Sequence, residues 1–514
     1  MLCRVMAEIG KVYLVGAGPG DPELITVRGR DLLQNADVVL YDALSHPALL
    51  DVCPPTAELR DVGKRGGSKS PSQDWITSQL IELGRQGRHV VRLKGGDPSL
   101  FARGAEEALA LSRAGIPFEI VPGVSSPVAA AAYAGIPMTH RDLSSSVTFI
   151  TGSDRDGKVW SPAAWQRLAT SAETICVLMG MQRIEAITRA IIDGGRSPNT
   201  PAAVVQWAAR PAQRVVTAKL SEIAQAALEA GLSNPALIMI GDVVSLREEL
   251  RWYDRQPLFG RRLLVPRPRH QAWSTAEAIR RRAADPVVLP TIEITDPPDP
   301  AALRDAARRV RDYDFCLFTS ANGVDRFFEA LSSVGLDARA FAQCRIGVIG
   351  PKTAAALRPR GLRPDLIAEE FVGESLAQAI VGVPGVRRVL IPRALVARDE
   401  LPVLLRAGGL SVDVVAAYET RPAGAEERER LVQLLEDEGL DVALFTSSST
   451  VDSLVELLGD RASELLARVT LASIGPITSA TLARHGLEPA VTAEVYTIDG
   501  LLDALERHYA SELS

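Results

Sequence analysis

Val12-Tyr-Leu-Val-Gly16-Ala-Gly18-Pro-Gly20-Asp21-Pro22-Glu-Leu-Ile-Thr26 is an apolar run, a glycine-rich turn and then a helix-period segment from Val27. Glycines let the backbone approach a ligand closely, and a helix start presents unpaired N–H groups, so this stretch predicts a strand, a binding turn and a helix. Similar apolar runs follow at Val38–Tyr41, Val90–Leu93, Thr148–Ile150, Thr174–Leu178 and Ala236–Ile240, each separated by helix-period sequence. That alternation predicts α/β layering. A dinucleotide site competes, because Gly16-x-Gly18 after a strand and Asp42 at the end of the next imitate its layout. Against it, Asp21 stands where the third glycine belongs and Pro19 removes a backbone donor from the turn.

The chain has 514 residues, which at about 150 residues per domain predicts three or four folding units. Apolar residues at 46% and charged residues at 23% exclude a disordered or fibrous chain. The net charge of -6 lacks the basic footprint of a nucleic-acid binder, so an anionic ligand has to be held by local cations. Arginine supplies 50 of the 57 cations and lysine only 7, which makes each lysine informative and weakens inference from arginine alone. Five scattered cysteines with no Cys-x-x-Cys pair argue against a disulfide scaffold or a zinc site and for a reducing cytosol. No apolar run reaches the roughly 18 residues of a membrane span and the first ten residues lack a signal pattern, so a cytoplasmic protein is expected.

Further motifs close the later strands of the first half. Val38-Val-Leu-Tyr41-Asp42 and Val62-Gly-Lys64-Arg65-Gly-Gly67 put a carboxylate and an ammonium at neighbouring strand ends. Such a pair suits a proton acceptor and a proton donor, although each is equally a solvated loop charge. Arg92-Leu-Lys94-Gly95-Gly96-Asp97-Pro98-Ser-Leu100-Phe101 ends another strand, and Val121-Pro122-Gly123-Val124-Ser125-Ser126 opens an alanine-rich helix that leads to Ile136-Pro-Met-Thr-His-Arg141.

In this order and spacing, the six motifs resemble the uroporphyrinogen-III C-methyltransferase family over about residues 10 to 255. The resemblance implies a two-lobed tetrapyrrole methylase fold that binds S-adenosyl-L-methionine and releases S-adenosyl-L-homocysteine. It implies two methylations of uroporphyrinogen III, through precorrin-1 to precorrin-2, on the siroheme and cobalamin route, with no metal and a homodimeric enzyme. Carried over by position, cofactor contacts fall on Pro19, Gly95, Gly96, Asp97, Leu100, Ser125, Ser126, Met179 and Ala208, the proton acceptor on Asp42 and the proton donor on Lys64. Ser125 and Ala208 depart from the family's usual Thr and Gly, and Gly67-Ser68-Lys69 and Gly152-Ser153 lack its common histidines.

A polar, Pro- and Gly-containing segment, Arg251 to Gly260, precedes a new strand at Arg262–Val265 and places a boundary near 257. Beyond it the chain repeats itself: Leu317-Phe-Thr-Ser320 recurs at Leu444-Phe-Thr-Ser447, and Ile349-Gly-Pro351 at Ile474-Gly-Pro476. Gly361-Leu-x-Pro364 and Ala368-Glu369 recur as Gly486-Leu-x-Pro489 and Ala493-Glu494. Hydroxyls at strand ends suit a ligand cleft between two α/β lobes, while Ser and Asn as ordinary helix caps remain the alternative.

With Leu263-Leu-Val-Pro-Arg267, Thr319-Ser-Ala-Asn322, Gly350-Pro-Lys352-Thr353, Val389-Leu-Ile-Pro-Arg393, Val415-Ala-Ala-Tyr418 and Gly475-Pro-Ile-Thr478, this half resembles the uroporphyrinogen-III synthase family over about 258 to 510. The resemblance implies a Rossmann-like (flavodoxin-like) two-lobed fold that closes hydroxymethylbilane to uroporphyrinogen III without a cofactor. Tyr418 matches the family's cleft tyrosine, and Thr319, Ser320, Asn322, Lys352, Arg393, Ser447, Ser448 and Thr478 are the expected substrate contacts. The expected organisation is therefore α/β throughout, with a methyltransferase at 9–256 and a synthase at 257–514. Within the synthase, lobe 1 takes about 260–291 and 421–510, and lobe 2 about 292–420. Partners are small tetrapyrroles, with no nucleic acid and no membrane. An active methyltransferase joined to a degenerate or regulatory ligand-binding C-terminal half is the competing organisation.

Overall fold

The computed structural model describes residues 9–63, 71–152, 161–370, 372–437 and 439–513. The chain divides into two compact units, Met1–Leu263 with Ser274–Val287 and Tyr496–Ser514, and Leu264–Trp273 with Val288–Val495.

In the first unit, β1 (Val12–Gly16), β2 (Val38–Tyr41), β3 (Glu58–Asp61), β4 (Val90–Lys94) and β5 (Phe118–Val121) form a sheet ordered β3-β2-β4-β1-β5. All its neighbours run parallel. A parallel sheet covered on both faces selects unbroken apolar strands, and β1 is buried along its whole length. Strand β4 obeys the burial but not the composition: Arg92 and Lys94 are each only 2% exposed. Helices α1 (Val27–Leu33), α2 (Gln73–Arg85), α3 (Gly104–Arg113) and α4 (Ser126–Ala134) connect the strands. Thr26 and Ser72 cap α1 and α2 through their hydroxyls, as Ser and Thr do at helix starts.

A second sheet in this unit runs β6-β7-β10-β8-β9, from β6 (Val147–Thr151), β7 (Thr174–Leu178), β8 (Pro201–Gln206), β9 (Arg214–Lys219) and β10 (Ala236–Ile240). Only β6 and β7 are parallel; the other neighbours are antiparallel. The apolar runs named β6, β7 and β10 but not β8 or β9. Strand β8 opens with Pro-Ala-Ala, which carries little β preference, and β9 is a partly exposed edge strand.

After β2 the chain turns through His46, whose Nδ1 accepts from the Ala48 amide and caps the short helical turn Pro47–Val52. Capping requires a free lone pair on Nδ1, and burial above all holds this imidazole down to about 3, so the folded state keeps it neutral. Because the folded value lies below the unfolded one, its contribution to stability is complete above the unfolded value and is lost as the pH falls toward the folded one. Between pH 7 and pH 5 the stability falls by an amount on the order of 1–2 kcal/mol from this group. His46→Asn, which can cap without titrating, should flatten that part of the melting-temperature profile; an unchanged acid slope would refute the assignment.

Beyond β11 (Arg262–Val265) and β12 (Asp285–Val288) comes a six-stranded sheet from β13 (Ile292–Thr295), β14 (Phe315–Phe318), β15 (Arg345–Val348), β16 (Leu366–Ile367), β17 (Arg388–Ala394) and β18 (Ser411–Pro422). Its order is β13-β18-β17-β14-β15-β16. Strand β13 enters antiparallel to the end of β18, with Ile292 opposite Pro422. The remaining strands β19 (Val442–Phe445), β20 (Thr470–Ser473) and β21 (Val491–Thr492) complete a sheet ordered β12-β11-β19-β20-β21.

The sequence repeat is a structural repeat. Strands β14, β15 and β16 pair in parallel, and so do β19, β20 and β21. The Ile349 amide donates to Phe318 and the Ile474 amide to Phe445, while Ala368 donates to Val348 and Ala493 to Ser473. Gly361 and Gly486 both adopt positive φ, 72° and 71°. Described cysteines Cys53, Cys176, Cys316 and Cys344 are free thiols, and no helix among the described residues is long and apolar enough to cross a membrane.

Candidate functional site

Strand order decides what meets what in the first unit. Because β4 lies between β2 and β1, the turns that follow these three strands converge with the turn after β5. Pairing of β1 with β4 continues past the strand ends: Ala17 donates to Lys94 O, and Gly18 and Gly96 exchange amide bonds at 3.3 and 2.9 Å. Gly18 and Gly96 hold φ of 74° and 72°, a region that favours glycine. Gly123 from the Val-Pro-Gly turn packs into the same place, where a Cβ on Gly16 would lie 2.6 Å from the Gly123 Cα. Three separate motifs thus owe their glycines to one backbone contact.

Around this contact stand most of the expected cofactor positions. Asp97 is committed to the cradle itself: Oδ1 accepts from Ser99 and Oδ2 from the Gly123 amide, at 2.7 and 2.9 Å. Gly96 faces Ser126 N and Ser125 Cα at 3.7 and 3.9 Å from an added Cβ. Ser125 is the N-cap of α4 but makes no side-chain capping bond. Asp21 is likewise structural, capping the turn at Glu23 and accepting from the Tyr133 hydroxyl at 2.8 Å. Gly20, next to Pro19, packs against the loop after β8, where an added Cβ would lie 2.6 Å from the Ala208 carbonyl oxygen. That loop also reaches the turn after β2, since Arg210 donates to the Leu44 carbonyl at 2.8 Å while its guanidinium covers the Trp207 ring.

Met179 directly follows β7 with φ of 54° and stands 52% exposed. Phe101, Arg103, Trp207 and Ala209 are also non-glycine residues at positive φ, all in loops after β4 or β8. Strained backbone concentrated at the ends of the strands that carry the motifs is characteristic of a working site. Leu100 is half-buried in the first of these loops.

Asp42 follows β2, and its Oδ1 takes a 2.6 Å bond from Arg92 Nη2. Arg92 is buried, donates through Nη1 to the Leu40 and Leu93 carbonyls, and through Nε contacts Glu107 of α3 at 3.3 Å. Glu107 is fully buried and also takes bonds from Lys94 Nζ at 3.1 Å and Gln73 Nε2 at 2.8 Å. Burial, and then the charge of Arg92, hold the Lys94 ammonium below the usual lysine range. Arg92 and Glu107 were not expected as site residues; an Arg and a Lys inside the otherwise apolar Val90-Val-Arg-Leu-Lys94 was their available signal. Lys64, the expected proton donor, lies outside the described residues, as do Gly67-Ser68-Lys69 and Ser153.

In the second unit the Thr-Ser strand ends lead into helices Ala321–Ser333 and Ser448–Leu458, and both serines serve as caps. Ser320 Oγ accepts from the Gly323 amide at 3.0 Å and lies 3.0 Å from the Tyr418 hydroxyl. Ser447 Oγ accepts from Thr450 N at 3.3 Å and sits 2.7 Å from its hydroxyl. Capping, the alternative reading of these strand-end serines, thus already employs both hydroxyls.

Tyr418 is buried, Thr319 and Asn322, sequence neighbours of Ser320, are half-buried, and Thr478 is buried in the helix after β20. Ser448 accepts from Thr481 at 2.8 Å. Arg393 is held by Asp399 and the Arg398 carbonyl at 2.5 and 2.6 Å. Lys352 is exposed along its side chain, yet desolvation of the ammonium and then Arg267 lower its affinity for a proton. Thr446, the counterpart of Thr319 in the repeat, keeps a buried hydroxyl without a partner among the described residues. Also among them, no three His, Cys, Asp or Glu side chains group as a metal site needs.

Comparison with known proteins finds two families in succession along the chain. The tetrapyrrole (corrin/porphyrin) methylase family matches residues 11–224, and the uroporphyrinogen-III synthase HemD family residues 274–503. The porphyrin biosynthesis protein HemD of Ruminiclostridium josui is 40% identical over 97% of this chain and 98% of its own length. The uroporphyrinogen-III C-methyltransferase of Bacillus subtilis is 38% identical over 71% of this chain and 75% of its own. A crystal structure of the Thermus thermophilus uroporphyrin-III C-methyltransferase with S-adenosylhomocysteine is 40% identical, with 46% of this chain and all of that one covered and a TM-score of 0.41. With 40% identity to the R. josui protein along 97% of its residues, the chain belongs to the porphyrin-biosynthesis family in which a tetrapyrrole methylase is followed by a uroporphyrinogen-III synthase.

Proposed function

We propose that the chain is a bifunctional tetrapyrrole enzyme: residues 257–514 close hydroxymethylbilane to uroporphyrinogen III, and residues 9–256 methylate that product twice to precorrin-2. The observation that carries the methyltransferase half is the convergence of the Gly16–Gly96–Gly123 backbone cradle with a carboxylate, Asp42, held by a buried arginine. The cradle suits S-adenosylmethionine: Gly96, at a positive φ that favours glycine, brings bare backbone up to the start of α4, and the Ser125 hydroxyl there is not used for capping. When bound, that donor supplies an electrophilic methyl group.

The protein's own residues then orient and handle protons. The glycine cradle, with Pro19, Gly95, Leu100, Ser126, Met179 and Ala208 around it, fixes the donor. Asp42 receives the proton that the methylated pyrrole must lose, and Arg92 keeps the carboxylate in place for it. Lys64 is the proposed proton donor: any proton it adds at one ring position is matched by loss of another elsewhere on the ring, so each methylation still releases one net proton. In the second half, Tyr418 beside Ser320 assists departure of the bilane hydroxyl, and Lys352 with Arg393 meets substrate carboxylates.

A second organisation is favoured by one observation: Ser320, Ser447 and Arg393 already have intramolecular partners, as they would in a ligand-binding module without catalysis. Product analysis separates the two. Protein given hydroxymethylbilane alone should form the type III isomer, and with S-adenosylmethionine added should form precorrin-2. Recovery of only the symmetric type I ring would refute the synthase half; type III without methylation would refute the methyltransferase half.

A further inference from the structure

Four charges, Asp42, Arg92, Lys94 and Glu107, form one connected group at the C-terminal edge of the first sheet. Their burial is uneven: the side chains of Arg92, Lys94 and Glu107 are 3%, 2% and 0% exposed, whereas Asp42 is 29% exposed. Only the acid at the end of the chain of contacts reaches solvent.

A core ion cluster of this kind is an expensive way to stabilise a fold, because desolvation offsets most of the attraction. Apolar residues would close the same space, as they do at Val90, Val91 and Leu93 of the same strand. What the cluster provides is direction. A guanidinium bonded only to Asp42 could swing with it. Here Arg92 is tied at Nε to Glu107 and at Nη1 to two strand carbonyls, which leaves Nη2 aimed at Asp42 Oδ1. Glu107 is itself fixed by Lys94 from β4 and by Gln73 from α2.

We propose that Glu107 is a positioning residue for methyl transfer: it anchors Arg92, which in turn sets the orientation of the Asp42 carboxylate. The inference rests on the reading of Asp42 as proton acceptor. Glu107 touches neither substrate nor donor and acts only through the arginine, so its removal should slow turnover without altering donor affinity.

The test is a double-mutant cycle in the full-length protein, with kcat for methylation and S-adenosylhomocysteine affinity as readouts. Glu107→Gln should lower kcat by roughly 10- to 100-fold, as small misplacements of a reacting group do, with KM and S-adenosylhomocysteine affinity unchanged. In an Asp42→Asn background the same change should have no further effect, because the group it positions is gone. Equal losses in both backgrounds, or loss of S-adenosylhomocysteine binding, would mean a structural role and overturn the proposal. Should Glu107→Gln fail to fold, the charge-balanced pair Glu107→Gln with Lys94→Met carries the same expectation. If Asp42→Asn alone retains full activity, the proton-acceptor reading fails and takes this inference with it; a slow Asp42→Asn with additive losses sinks the inference alone.

Discussion

Asp42→Asn loses methylation by roughly 10²- to 10⁴-fold, the range expected when a positioned proton acceptor is removed, while ring closure by the other half continues at its normal rate. The substitution preserves shape and leaves Arg92 a carbonyl oxygen to bond, so the neighbouring packing survives. What disappears is the negative charge and the capacity to take up a proton. Stopped assays for methylated product and for type III uroporphyrinogen on the same preparation decide the matter. Parallel loss of both activities would point to misfolding, and retained methylation would move the proton acceptor elsewhere.

Gly123→Ala weakens binding of S-adenosylhomocysteine by roughly ten- to a hundred-fold or more. An added Cβ would lie 2.4 Å from the Gly96 carbonyl oxygen and 2.8 Å from the Gly16 Cα, both backbone atoms on other segments. Side chains can rotate away from such a clash, but the ends of two paired parallel strands cannot. Overpacking of this kind costs about 1–3 kcal/mol, occasionally more, and each 1.4 kcal/mol or so is a factor of ten in affinity when it falls on the binding turn. Isothermal titration with S-adenosylhomocysteine reads the effect directly. Gly382→Ala is the matched control, since its Cβ meets nothing nearer than 3.7 Å and its φ is ordinary; it should bind as the parent does. Undiminished binding by Gly123→Ala would show that the cradle is not the donor site.

Much of the architecture was legible because its causes are local. Apolar runs bounded by turns named β1, β2, β4, β6, β7, β10 and β11 at nearly their observed limits. Strands β3, β5, β8 and β9 lacked such runs, three of them (β3, β5 and β9) being partly exposed edges whose place depends on the neighbour they pair with. The duplicated Phe-Thr-Ser and Ile-Gly-Pro segments were plain from spacing alone, yet their serines could be read as ligands or as caps. The structure shows both as caps, a role set by amides three residues on.

By itself the sequence determined the α/β character, the internal repeat, the motif positions and the family, since each depends on residues close together in the chain or on their order. Only the tertiary structure decided the partners. It placed β4 between β2 and β1, so that Arg92 reaches Asp42 across 50 positions and Gly123 closes on Gly16 and Gly96. No periodicity encodes those meetings. An arginine and a lysine in a buried strand announce that counter-charges must exist, because an unpaired charge in the core is too costly to keep; which acids supply them follows from strand order and helix packing.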